Sequence, residues 1–240
     1  MATLAFDHLV LMLRDRLTGL APRFEKDGYC LTDLARHNLG SVNRLITLDN
    51  SYIELLGWPE GAPPARKEIA DSPAGLDALV FRSTNAQQTY EYLKDNGFDV
   101  NPVQRLERPI ESAGKQAVAR FDTVRFSSQP IAGFRVYFCQ HLTPEYVWVD
   151  RYMKHANGAR TLSDILLVSG EPQSMAQTLA ILAQADAGTD CNGDYEITLP
   201  NTRMRVRHDP AATQASIEAA WIADEHGARR LFNPRLDQFV

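Results

Sequence analysis

The sequence predicts an α+β protein built from a βαβββ module that is used three times. Three observations carry this. An apolar run opened by an aspartate recurs as Phe6-Asp7-His8-Leu9-Val10-Leu11-Met12, as Leu76-Asp77-Ala78-Leu79-Val80-Phe81 and, more weakly, as Leu162-Ser163-Asp164-Ile165-Leu166-Leu167-Val168. Short Leu- and Val-rich runs followed by polar residues and a helical pattern read as buried strands that open a mixed unit. The stretch Phe24-Glu25-Lys26-Asp27-Gly28-Tyr29 resembles Leu93-Lys94-Asp95-Asn96-Gly97-Phe98, with the glycines 69 apart and the strand aspartates Asp7 and Asp77 70 apart. Residues 197–206 follow residues 46–55 at a constant offset of 151, which sets Arg205 against Glu54. Features that recur in near-constant register indicate an internal repeat.

The first module spans residues 1–60. After the His8 strand, Leu17, Leu20 and Phe24 have helical spacing, and Asp27-Gly28 is a helix stop. A strand is expected over residues 29–34 and another over residues 43–48. Asp49-Asn50-Ser51 is a turn, and Tyr52-Ile53-Glu54-Leu55-Leu56 is the return strand. Gly61-Ala62-Pro63-Pro64 opens a linker that lasts to about Gly75. The second module covers residues 75–142, with strands over 118–126 and 135–140, and it pairs with the first. The third covers 160–223, with a helix over 175–182 and either a strand or a helix over 216–223. Residues 224–240 form a tail with little pattern.

A net charge of −5, with no dense Lys/Arg stripe, argues against nucleic acid as a partner. Arg203 to Arg207 alternate with Met204 and Val206, as a strand with one solvated face does. No run approaches the ~18 apolar residues of a membrane span, and no signal-peptide pattern opens the chain. Cys30, Cys139 and Cys191 are widely spaced and form no CxxC pair, so neither a disulfide framework nor a zinc–thiolate site is expected. The expected location is cytoplasmic and the expected partner a small molecule, with homodimerisation open.

Tandem βαβββ units that open with Asp-His-Leu-Val and close with Tyr-Ile-Glu-Leu resemble the vicinal oxygen chelate superfamily, and within it the glyoxalase-like branch. The residues that carry the resemblance are Phe6 to Val10, the His37/Gly40/Asn43 stretch, Tyr52 to Gly57, and Gln140 to Glu145 through Asn157-Gly158-Ala159. The resemblance implies that the first two modules form one curved mixed sheet, a cup whose concave face holds a divalent metal. It implies His8 as the first-strand ligand and Glu54 as the last-strand ligand and catalytic carboxylate. In the second module the first-strand place is Ala78, which cannot bind metal, and the last-strand place falls at Gln140 or, with a one-residue slip, at His141.

Alternation independently puts Tyr52 and Glu54 on one strand face, with Ile53 and Leu55 on the other. Imidazole and carboxylate together suit Zn, Fe(II), Mn or Ni. His37, Asn43, Arg44 and Gln140 are substrate-contact candidates; each also reads as an ordinary turn, capping or ion-pairing residue. Two functions are compatible with these residues. One is metal-dependent lyase, isomerase or dioxygenase chemistry on a small molecule with vicinal oxygens, with Glu54 moving the proton. The other is a metal-free binding or resistance-type protein on the same cup, which Ala78 favours. Arg205 in Glu54's place predicts a third module without a metal ligand at that position.

Overall fold

The computed structural model describes residues 2–37, 40–64, 66–112 and 115–232; the end of the expected tail, 233–240, lies outside the described residues. The first sheet takes strands β1 (Phe6–Arg14), β2 (Ala35–Arg36), β3 (Val42–Thr47), β4 (Tyr52–Gly57), β5 (Gly75–Arg82), β6 (Gln104–Ser112), β7 (Lys115–Arg125) and β8 (Arg135–His141). Helices α1 (Leu17–Lys26), α2 (Lys67–Ala70) and α3 (Ala86–Asp95) connect them. The spatial order is β2-β3-β4-β1-β5-β8-β7-β6. β1 and β5 run antiparallel at the centre, each with the last strand of its own unit, β4 or β8, parallel beside it. The two halves therefore mirror each other about a pseudo-twofold axis between β1 and β5. The sheet curls until β2 and β6 approach, leaving it almost closed.

Alternation along β1 separates two cores. Phe6, Leu9, Leu11 and Leu13 pack outward against Leu17, Leu20 and Phe24 of α1, while Val10 and Met12 face the concave side with Tyr52, Ala78, Val80, Phe121 and Cys139. The outer core continues into a second sheet, made from β9 (Thr161–Ser169), β10 (Ala187–Thr189), β11 (Tyr195–Thr198), β12 (Arg203–His208), β13 (Ser216–Ala223) and β14 (Arg229–Phe232) with helix α4 (Pro172–Ala183). Its order is β10-β11-β12-β9-β13-β14. Here Asp164 pairs with Arg203 as His8 pairs with Tyr52, and Arg205 stands at the register place of Glu54. Arg205 lies over the Trp221 ring, and Asp164 is bonded by Arg203 and Arg229.

Three expectations need correction, and one left open is decided. Residues 29–34 do not form a strand, because Thr32 supplies its hydroxyl as well as its backbone to Leu45 and so interrupts the ladder; only Ala35–Arg36 pair with β3. The linker is not empty, since α2 lies within it and buries Ile69. Residues 216–223 are a strand, antiparallel to β9 as β5 is to β1. Part of the tail is β14, whose Phe232 packs in the outer core 6.2 Å from the rings of both Phe24 and Tyr29. The sheets also meet at Gly133 (φ +116°), where any Cβ would overlap the Ala215 carbonyl and the Ala215 N–H donates to Ala132.

Candidate functional site

The concave face encloses a narrow cavity of about 50 Å³. Its walls come from both halves of the cup: His8, Asn43 and Glu54 from the first, Arg108, Arg125 and Tyr137 from the second. A β-bulge in β1 sets the geometry. Phe6 pairs with Phe81 and His8 with Val80, so Asp7 has no partner on β5. The extra residue brings the Asp7 carboxylate to the same side as the His8 ring.

Asp7 is 0 % exposed and gathers three donors. His8 Nδ1 donates to its Oδ2 at 2.8 Å, His141 Nε2 donates to the same oxygen at 2.8 Å, and Arg82 Nε donates to Oδ1 at 2.8 Å. Burial works to raise the Asp7 pKa, but His141 and His8 overcome it and hold the carboxyl far below its usual range. With Nδ1–H committed to Asp7, His8 Nε2 carries the lone pair and accepts the Tyr137 hydroxyl at 3.0 Å. The ring is stacked on Tyr52, with centroids 4.3 Å apart. Burial, then Glu54, raises the Tyr137 pKa, so the phenol keeps its proton.

Glu54 approaches from the other wall, its Oε2 3.8 Å from His8 Nε2. Its Oε1 accepts from Asn43 Nδ2 at 2.6 Å, and Asn43 Oδ1 accepts from Arg108 Nη1 at 3.2 Å. Burial raises the Glu54 pKa, but His8, His37, the Asn43 hydrogen bond and Arg108 together leave it below the usual value. His37 Nε2 accepts from Asn43 at 3.3 Å, and Nδ1 meets Ser41 Oγ at 2.9 Å. Burial, reinforced by Arg108, Arg125 and Arg66 against the pull of Glu54, lowers the His37 pKa to about 4.

Of the residues singled out from sequence, His8, His37, Asn43 and Glu54 line this cavity. His141 stands on the Nδ1 side of His8, with Asp7 between them and Glu54 on the Nε2 side. Arg44 points to the outer face, where it donates to Thr32 O and Glu25, and Gln140 faces away as well, accepting from the Ala86 N–H at the start of α3. The last-strand place of the second module is neither Gln140 nor His141. β5 pairs Val80 with Tyr137 as β1 pairs Val10 with Glu54, so Tyr137 is the counterpart of Glu54. Sequence reasoning missed Asp7, Arg108, Arg125 and Tyr137. Tyr137 had a signal, lying two residues after Arg135 as Glu54 lies two after Tyr52. Asp7 depends on a bulge and Arg108 on strand β6, while Arg125 ends β7, inside the strand expected over 118–126.

Two donor sets bear on a divalent metal. The four places that face one another across the pseudo-twofold axis hold an imidazole, a carboxylate, the methyl of Ala78 and a phenol kept protonated, which leaves two strong donors. Asp7, Cys139 and His141 have ligand atoms within 4.8 Å of one another. However, both Asp7 oxygens are already bonded, His141 Nε2 is spent on Asp7, and burial, then Asp7 and Glu54, pushes the Cys139 thiol well above its usual pKa. Arg108 and Arg125 add positive charge to the cavity. The first set offers only two strong donors, and the second would take a cation only by displacing the bonds already made to Asp7.

A pseudo-symmetric cup of two βαβββ units with a polar floor defines the vicinal oxygen chelate class of protein. A profile of the glyoxalase-like domain matches residues 6–183, and the chain belongs to that family. No curated protein matches it by sequence. Among solved structures it is similar to a protein from Staphylococcus aureus described as hypothetical, with 14% identity, a TM-score of 0.74 and coverage of 96% of this chain and 99% of that one. It is also similar to a mutant of 4-hydroxymandelate synthase from Streptomyces coelicolor, with 13% identity and a TM-score of 0.50, covering 87% of this chain and 63% of that one. A xylose isomerase-like TIM barrel/4-hydroxyphenylpyruvate dioxygenase fusion protein matches with 11% identity and a TM-score of 0.57, covering 93% of this chain and 37% of that one. Among the described residues no helix is long and apolar enough to cross a membrane.

Proposed function

We propose that the cup binds a small oxygen-bearing molecule without a resident metal, with Tyr137 and Glu54 as its proton donor and proton acceptor. The observation that carries this reading is the convergence of Tyr137 Oη and Glu54 Oε2 on His8 Nε2, at 3.0 and 3.8 Å, inside a buried cavity. Tyr137 offers a hydroxyl proton to a carbonyl or hydroxyl oxygen. Glu54, held ionised, accepts a proton from the ligand's hydroxyl or from a carbon next to its carbonyl. Asp7 fixes the His8 ring so that its lone pair faces inward. The family's dioxygenase-type neighbours motivate the opposite reading, in which a metal sits in the cup, and the donor sets do not favour it.

Thermal shift with a panel of small hydroxy-carbonyl compounds tests the binding. Wild type is stabilised by at least one of them, and Tyr137→Phe and Glu54→Gln weaken that effect while keeping the fold. Titration calorimetry with Mn, Ni, Zn and Fe(II) on wild type and His8→Ala tests the metal. No uptake by wild type is the expected result. Uptake by wild type that His8→Ala abolishes would replace this reading with the metalloenzyme one.

A further inference from the structure

The inner cavity does not end blindly. It adjoins an outer groove of about 880 Å³, and five residues border both spaces: Arg66, Thr123, Arg125, Arg135 and Tyr137. Three of the five, at the neck between the two spaces, are arginines. Two of these arginines are paired. Arg66 bonds Glu68, and Arg135 bonds Asp77. Arg125 makes no ion pair with any carboxylate among the described residues; its guanidinium lies 5.5 Å from the centroid of the Tyr137 ring. Burial, then Arg66, lowers the Arg125 pKa to about 10, which still leaves it charged at neutral pH.

Deeper in, Arg108 is 4 % exposed, and its Nε is buried with no hydrogen-bond partner among the described residues. A buried guanidinium without an acceptor is costly, and native proteins rarely leave one so. Arg108 Nε lacks an acceptor, although its Nη1 bonds Asn43, and half-buried Arg125 has no carboxylate partner among the described residues; together they call for an anionic acceptor. Guanidinium groups match carboxylate and phosphate oxygens in geometry as well as charge.

We propose that the ligand of the cup is an anion, a small molecule whose carboxylate or phosphate head sits at the neck on Arg125, with Tyr137 beside it and its body in the outer groove. This rests on the reading that the cup binds a small molecule, and it names that molecule's class. The sizes agree with it. An inner space of about 50 Å³ admits a head group of a few atoms, and a groove of about 880 Å³ accepts a larger remainder. Arg66 and Arg135, already neutralised by their partners, add hydrogen-bond donors to the neck without adding net charge.

Titration calorimetry on the full chain, with glycolate and benzoate, their amides glycolamide and benzamide, and inorganic phosphate, decides the question. Wild type should bind an acid or phosphate at least tenfold more tightly than the uncharged amides. Binding of the acids assigns a carboxylate head, and binding of phosphate alone assigns a phosphoryl one. Arg125→Met should remove the preference for charge without changing amide binding, and Arg125→Lys should restore part of it. A cooperative urea transition in Arg125→Met reports that the variant is folded. Equal binding of acids and amides, or an undiminished preference in a folded Arg125→Met, overturns the proposal while leaving a neutral ligand in the cup. No binding of any probe together with no stabilisation by the hydroxy-carbonyl panel overturns both readings.

Discussion

Three donors converge on the two oxygens of Asp7, and none of those bonds can be replaced by water where the carboxylate lies. Asp7→Asn keeps the shape but puts an N–H among donors. Breaking a buried ionic cluster in this way costs about 3–5 kcal/mol, to be read as a drop in urea unfolding free energy at pH 7. His37 makes the complementary prediction. Its pKa is about 4 in the folded chain against 6.5 for an unperturbed imidazole, so below 6.5 the unfolded chain takes up a proton that the folded one refuses. Stability contributed at neutral pH is therefore lost as pH falls from 6.5 toward 4, by about 3 kcal/mol. His37→Gln should flatten that part of the pH–stability curve. An unchanged slope would mean that His37 is protonated in the native state. His8 and Glu54 were legible as a pair from the family resemblance, with strand alternation setting Glu54 on the same face as Tyr52. Asp7 was not, because alternation assigns it to the outer face, and only the unpaired residue of a bulge turns it inward.

Among the elements, β1, β4, β5 and α1 were readable because their apolar periodicity matches the faces they bury. β6 was not. Its sequence, Gln-Arg-Leu-Glu-Arg-Pro-Ile-Glu-Ser, is charged and contains a proline, which only an edge strand tolerates. Its alternate residues Leu106, Arg108 and Ile110 nevertheless face the cup, and so one of the two decisive arginines sits where the sequence looks like a loop. β14 was hidden for a similar reason, since Phe232 is the single large buried apolar residue of Arg-Arg-Leu-Phe. Phe232→Ala should cost about 3–5 kcal/mol as a core cavity, measured as a lower midpoint in urea; an exposed tail would lose nothing. Gly133→Ala should lower the midpoint too, because the new Cβ meets backbone that belongs to the other sheet and cannot rotate away. If that variant is as stable as wild type, the sheets do not meet there.

At the scale of the whole molecule, the fold was legible because the repeats restate one another, whereas the chemistry lies where they diverge: Ala78 for His8, Tyr137 for Glu54, Arg205 for Glu54 again. The same divergence reaches the place where β2 and β6 approach without a backbone ladder. Arg108 on β6 donates to Asn43 on β3, and Asn43 in turn holds His37, just beyond β2. The hoop formed by the first sheet is thus fastened at its gap by side chains that face the cavity. Whatever fills the cavity must deal with the same groups that hold the hoop shut, so occupancy and closure become one equilibrium. A ligand present at a hundred times its dissociation constant adds about 2.7 kcal/mol to the closed form. Amide hydrogen exchange should then slow in β2 and β6 more than in the central strands β1 and β5. Uniform slowing would mean that the gap is already shut and the ligand merely rests inside. In a cup built this way the last stave is driven home by the contents.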